Sequence, residues 1–388
     1  MKKFHFFSTV ATLFVVLVFC QLTLAKSTGN DFTNGTPDIK SMGTLTFNSD
    51  GVLFIGDSKS AAVFAIDLMD KTPSNKEDGL EVRDIESKIA SMLGTTADEI
   101  LIHDLAVNPI SKSAYMSVSL ARSKWESRWQ LPNELDDARI LLRVTPAGEI
   151  QEVSLQNVRY SKAVLPNPVA VDAKHKWKKG TTLRVDTITD MVYADDRLYV
   201  AGLSNEEFAS TMWLVDFPFK NNAIFTTLEI YHAAHGAYET HAPIRTFLAY
   251  KVNNYAHILA SYLCTPLVSF PIADLKNKTH LKGKTLAEFG SGNYPLDMVL
   301  YQKDGQDLIL MANSALPLMV IDPKDIEKQT EGLTTEPDTY TAGVPYTAKS
   351  GGSIQQLANF NAKNILALQR TPAGKLDLIS LPTRRLAK

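Results

Sequence analysis

One pattern recurs along this chain at intervals of about sixty residues, and it leaves few folds open. A short apolar run is followed by a turn of Asn, Asp, Lys or Gly, then by a second and a third apolar run. The first copy reads Thr44-Leu45-Thr46-Phe47, Asn48-Ser49-Asp50-Gly51, Val52 to Asp57 and Ala62 to Asp67. An Asp-Gly pair between such runs is a strong hairpin signal. Five more copies begin at Ile102, Ile188, Ile244, Pro295 and Ile354. The aligned inner-strand positions of the six copies fall at 44, 104, 190, 246, 297 and 356, in steps of 60, 86, 56, 51 and 59. Units of several strands repeated at this period predict an all-β, six-bladed β-propeller. An open sheet of so many strands would leave long unpaired edges, and closing the ring removes them. Seven blades, if the ends of the chain hide a degenerate copy, and a double sandwich are the alternatives.

Two insertions break the period. Residues 80–93 place Val82, Ile85, Ile89, Met92 and Leu93 at helical spacing with Gly94 as the stop, which predicts a short helix between blades 1 and 2. The 86-residue step carries Trp125, Trp129 and Trp177 among many charges, including the basic run 174–179. It reads as an exposed hairpin or loop, or as a contact surface for another protein around residues 121–139.

Lys2 and Lys3, an apolar stretch over 10–19 and small residues at Thr23 and Ala25 predict a signal peptide over 1–25. A polar, flexible leader is expected at 26–40 and one propeller domain at 41–388. The mature chain is expected to be exported, periplasmic or secreted, with no membrane span, since the apolar stretch falls short of the roughly 20 residues a span needs. If Cys20 leaves with the signal, Cys264 is the last cysteine and no intrachain disulfide forms. Cys264 itself reads as a small buried hydrophobe. A net charge of -2 offers no basic excess for nucleic acid.

The inner strand of a blade lines the central channel, with every second side chain pointing toward it. The aligned positions Thr44, Asp104, Asp190, Thr246, Asp297 and Gln356 are all polar within apolar runs. Crowded carboxylates need a cation, a shared proton or donor groups. They would therefore hold calcium or magnesium, or else bond backbone N–H groups of the neighbouring blade and lock the ring. A second constellation, residues 231–243, carries His232, His235, Glu239 and His241 into the fourth inner strand, where Arg245 offers an anion contact. His103 precedes Asp104 at the equivalent place in the second copy. Imidazole with carboxylate suits zinc, copper or iron, or acid–base catalysis; surface or loop-packing histidines are the plainer reading. There is no phosphate-binding glycine loop, no nucleophile elbow and no paired Cys-x-x-Cys.

Residues Gly51-Val52-Leu53-Phe54-Ile55-Gly56-Asp57 through Phe64-Ala65-Ile66-Asp67 resemble the blades of NHL-repeat and gluconolactonase-type six-bladed propellers. That resemblance implies the same blade architecture over most of the mature chain. Gluconolactonase-like enzymes hold a divalent metal in the channel on Glu, Asn and Asp, where this chain places Thr, Asp and Gln. The leading expectation is an extracytoplasmic propeller that binds a small molecule or protein partner at the channel mouth, through His103, Asp104, Asp190, His241, Arg245, Thr246, Asp297 and Gln356. The alternatives are a hydrolase or lactonase using one divalent metal (calcium, zinc or copper) and an accessory subunit of a periplasmic complex.

Overall fold

The computed structural model describes residues 32–120, 139–175, 182–351 and 353–386. The expected signal peptide, Cys20, Trp125, Trp129, Trp177 and nearly all of the 121–139 contact surface lie outside the described residues. Each copy forms one sheet, and the six sheets form the blades of a propeller. No helix among the described residues is long and apolar enough to cross a membrane.

The reason for this architecture is visible in Val52–Asp57, buried at every position. Strand side chains alternate between the two faces of a sheet. Leu53 and Ile55 enter the core shared with the second copy, and Val52 and Phe54 enter the core shared with the third. A strand covered on both faces has no polar face to show, so it reads as a continuous apolar run. Among the described residues there are six such cores, one at each seam between blades. The tight turns behave as their residues dictate. Asp304 and Gly305 both take left-handed conformations (φ 51° and 75°), the geometry that matches strand twist in a two-residue hairpin.

The blades do not stand in chain order. The inner strands are Leu45–Phe47, Ile100–Val107, Asp190–Ala194, Thr246–Val252, Pro295–Lys303 and Ser353–Asn361. The second lies between the first and the sixth, while the third flanks the first on its other side. Around the ring the order is therefore second, first, third, fourth, fifth, sixth. The chain leaves the first blade, builds the second on one side, then crosses back. On the way, Val158–Val164 pairs with Ala62–Asp67 as the fourth strand of the first blade. This return accounts for the 86-residue step, which the sequence presents as a loop or hairpin. Thr33–Gly35 then pairs with Val158–Val164. That stretch of the expected leader is thus a strand of the first sheet, and the ordered domain starts before residue 41.

The helix forms over Ile85–Leu93, with Gly94 in the left-handed conformation (φ 72°) at its end. It lies between the first and second copies in the chain, but it packs at the seam of the second and sixth. Leu80 and Val82, expected within the helix, lie before it instead, Val82 in an isolated β-bridge. Val82 and Leu378 exchange backbone hydrogen bonds of 2.8 and 3.0 Å, so this segment borders the outer strand of the three-stranded sixth blade. Met92, expected on the apolar face, is 40% exposed. Arg370 grips Glu86 with two bonds of 2.6 and 2.8 Å across the same seam.

Candidate functional site

The six aligned polar residues do line one ring. In ring order they run Asp104, Thr44, Asp190, Thr246, Asp297, Gln356, so carboxylates alternate with neutral side chains. Each Asp accepts its own successor's N–H on one oxygen and an N–H of the next inner strand on the other. The second contacts are Leu45 to Asp104 at 2.6 Å, Phe247 to Asp190 at 2.9 Å and Leu357 to Asp297 at 2.6 Å. The contacts within the strand are 2.7 to 2.8 Å. Gln356 Nε2 donates to His103 O at 3.0 Å and ties the sixth blade to the second. Of the two uses open for these carboxylates, the hydrogen bonds display the locking of neighbouring blades.

Pairing shifts at three of these strands explain how the side chains are aimed. Asp104, Asp297 and Gln356 each follow a bulge that leaves His103, Leu296 or Gln355 without a cross-strand mate. A bulge re-aims the residue beside it, here sending His103 away from the carboxylate next to it in sequence. His103 Nε2 lies 2.8 Å from Ser119 Oγ, and burial pulls its pKa down to about 4. This ring should stay neutral through physiological pH; an NMR titration showing His103 protonate near pH 6.5 would contradict that placement.

Burial raises all three channel carboxylates. Asp297 rises to about 7. Asp104 reaches about 8, with the Asp297 charge adding to burial. Asp190 rises well above the usual range, pushed by burial and then by the charges of Asp297 and Asp104. The three titrate as a coupled set across a shared channel.

Arg245 turns to Asp186, 3.2 Å from Nη1, and the other Asp186 oxygen lies 3.5 Å from His175 Nε2. Its role is thus partly the bracing of the fourth blade against the segment entering the third. His241 is exposed and bonds its neighbour Thr240 at 2.8 Å.

The other histidines of the loop converge elsewhere. Ile224–His232, the outer strand of the third blade, delivers His232 to the end of the propeller where the inner strands begin, here the mouth face. A single 3₁₀ turn, Ala233–His235, brings His235 over it, with ring centroids 3.8 Å apart. Glu239 Oε1 lies 2.6 Å from His235 Nδ1 and 3.0 Å from His232 Nδ1. Burial opposes the Glu239 carboxylate, but these contacts outweigh it and hold its pKa below the usual range.

From the fourth blade come two residues that the sequence did not single out as ligands. Cys264 sits in the hairpin turn between Tyr255–Ser261 and Pro266–Pro271, half-buried rather than sealed in a core. Ligand atoms of His232, His235 and Cys264 all lie within 4.8 Å of one another, a grouping that leaves His241 out. Glu288 ends Lys284–Glu288 beneath the loop and accepts the Ala233 N–H at 2.8 Å. Burial pushes both the Cys264 thiol and the Glu288 carboxyl up. Cys264 and Thr265 are both left-handed (φ 65° and 59°), a conformation that costs a non-glycine residue about 1–3 kcal/mol and collects at functional sites.

Buried side-chain atoms without a hydrogen-bond partner also gather here. Among the described residues they are Thr44 Oγ1, Thr187 Oγ1, Ser210 Oγ, both nitrogens of His232, Arg245 Nε, Ser261 Oγ, Tyr262 Oη and Glu288 Oε2. Every one belongs to the mouth ends of the first, third and fourth blades, which are ring neighbours. The same polar groups would each cost about 1–3 kcal/mol if nothing completed them.

No protein-family model matches the chain, and no curated protein matches it. Solved structures with a similar fold include the Cps50 (Swd1) β-propeller domain of Myceliophteria thermophila, at 11% identity and a TM-score of 0.34. That match covers 90% of this chain and 99% of the other. Two structures of the full extracellular region of Plexin A4 match at 8% identity and a TM-score of 0.36, over 91% of this chain but 47% and 40% of theirs. At this distance they say nothing about a ligand or an activity.

Proposed function

We propose that this protein is a binding propeller whose working surface is the mouth face over the first, third and fourth blades. The supporting observation is the gathering there of every buried side-chain atom, among the described residues, that lacks a partner. Native interiors satisfy such groups, so a cluster of them at one end is the mark of a surface completed by something that binds. The Ser210, Ser261 and Tyr262 hydroxyls, the Arg245 Nε and the Glu288 oxygen lie sealed just beneath that face, a mixed set of donors and acceptors that a small polar molecule would complete once the mouth loops part. The apolar N-terminal segment supports an extracytoplasmic setting for that role.

Thermal unfolding tests this with the small-molecule fraction of the source cells' extract, EDTA included. A ligand at about a hundred times its Kd adds roughly 2.7 kcal/mol of stability, so the wild-type midpoint should rise. A Ser210→Ala/Tyr262→Phe variant should keep its fold and lose most of that rise. If neither protein responds, the small-molecule reading fails; a response only to the protein fraction would give the face to a protein partner.

A further inference from the structure

We infer that the seam of the third and fourth blades holds a transition-metal ion on His232, His235 and Cys264, an inference resting on the mouth-face reading and naming one occupant. The three ligand atoms already lie within 4.8 Å of one another. Tetrahedral zinc, with bonds of about 2.0–2.1 Å to nitrogen and about 2.3 Å to sulfur, needs ligand atoms roughly 3.3–3.7 Å apart. Closing the site therefore takes a shift of about an ångström in the ligand atoms and a swing of the two imidazoles, stacked at 3.8 Å between centroids, so that one nitrogen of each faces the ion.

Proximity alone would not make a site, but His232 adds a separate observation. It is 2% exposed, and neither of its ring nitrogens makes a well-aligned hydrogen bond. Glu239 Oε1 approaches Nδ1 to 3.0 Å without the alignment of a hydrogen bond. A buried imidazole ordinarily spends at least one nitrogen on a donor or acceptor. Its Nε2 stands 3.9 Å from Glu288 Oε2, too far for a hydrogen bond, and that oxygen has no partner either. A cation among these groups satisfies both.

The surroundings are those of a ligand set rather than of packing residues. His232 caps the single 3₁₀ turn that ends at His235, and that three-residue step brings the two rings to one side. His235 Nδ1 lies 2.6 Å from Glu239 Oε1. An imidazole that donates from Nδ1 to a carboxylate keeps its Nε2 lone pair for a metal and becomes a stronger ligand. Glu239 is thus a positioning residue for His235. The Cys264 turn is pinned by Cys264 N to Asn293 O at 2.8 Å and by Thr265 Oγ1 to Gly290 O at 2.9 Å. Gly292 N–H points at Cys264 Sγ from 3.4 Å, as it would toward a thiolate.

The donor set also selects the ion. A thiolate with two imidazoles favours zinc or copper, whereas calcium and magnesium require oxygen. The His235 side chain is 45% exposed, so the ion has a route in from solvent and a remaining position open to water or to the ligand of the mouth face.

The test is cobalt(II) titration of the untagged, chelator-stripped full-length chain, followed by displacement with zinc. A single equivalent of cobalt should produce a thiolate-to-cobalt charge-transfer band and the strong ligand-field bands of a four-coordinate site. Cys264→Ser should abolish the charge-transfer band, and Glu239→Gln should weaken zinc about 10–100-fold. His235→Ala, at an exposed side chain, should weaken zinc further while leaving the metal-free midpoint of unfolding unchanged. Wild-type protein that binds cobalt and zinc no better than a His235→Ala/Cys264→Ser variant overturns the inference. That outcome, with the extract response surviving EDTA, sinks the metal alone; loss of both sinks the mouth-face reading with it.

Discussion

Replacing Ile85 and Ile89 together by alanine should open the ring, at a cost of about 6 kcal/mol, since each buried Ile→Ala change takes roughly 2–5 kcal/mol. Both side chains are fully buried, in the core that joins the second blade to the sixth. These two blades are neighbours in the ring but far apart in the chain, so no short connection holds them together. The segment before the helix instead borders the sixth blade, where Leu80 N bonds Ser380 Oγ at 2.7 Å and Val82 pairs with Leu378. The sixth blade has three strands, and this strap stands where a fourth would. Total stability of a folded domain is about 5–15 kcal/mol, so the double variant should be largely unfolded or aggregated under mild conditions. Met92→Ala, on the same helix but 40% exposed, should change stability by no more than about 0.5 kcal/mol. Urea unfolding of the three proteins decides it. A loss in the double variant no larger than that of Met92→Ala would mean that the seam closes by other contacts.

The blades were legible in the sequence because burial on both faces writes itself locally, as apolar runs broken by Asp-Gly and Asp-Asp turns. Their order was not. Nothing within Val158–Val164 says that it pairs with Ala62–Asp67 rather than with the second blade it follows. The one sequence trace of that crossing is the long second step, and a long step looks the same as a loop. The alternation of Asp104, Asp190 and Asp297 with Thr44, Thr246 and Gln356 likewise exists only once the ring order is known.

The histidine cluster was half legible. His232, His235 and Glu239 lie close in sequence, and a turn gathers them. His241 looked equivalent, yet after the short strand Ala237–Glu239 it faces solvent. Cys264 and Glu288 reach the cluster from another blade. Within Leu263-Cys264-Thr265 no glycine or asparagine marks the left-handed turn, and Glu288 is the buried last residue of a strand whose pattern gives no sign of the loop above it.

Thermal stability should fall as pH rises from about 4 to about 8, because the three raised channel carboxylates outweigh His103, whose depressed pKa works the other way up to about 6.5. In the unfolded chain each Asp titrates near 3.9, while in the ring Asp297 titrates at about 7, Asp104 at about 8 and Asp190 is also raised. Below the unfolded value both states hold their protons and the ring costs nothing. Above it, unfolding releases protons that the folded ring retains, so stability drops until the folded values are passed. A tenfold difference in proton affinity between the folded and unfolded chain is worth about 1.4 kcal/mol. That makes roughly 4 kcal/mol a ceiling for Asp297, lowered by screening from water in the channel. Asp190→Asn separates charge from hydrogen bonding. A protonated carboxyl still accepts the Met191 and Phe247 N–H groups, one on each oxygen, with its proton free to face the channel. An amide accepts one and turns its NH₂ on the other, so at pH 5 the variant should be less stable than wild type by about 1–3 kcal/mol. At pH 9 that deficit should shrink or reverse, because the variant has no raised carboxyl at this position to cost stability as pH climbs. Parallel stability curves for the two proteins would show that Asp190 is ionised in the fold at both pH values. A flattened wild-type curve and a higher midpoint on adding calcium or magnesium would transfer the ring from blade locking to cation binding.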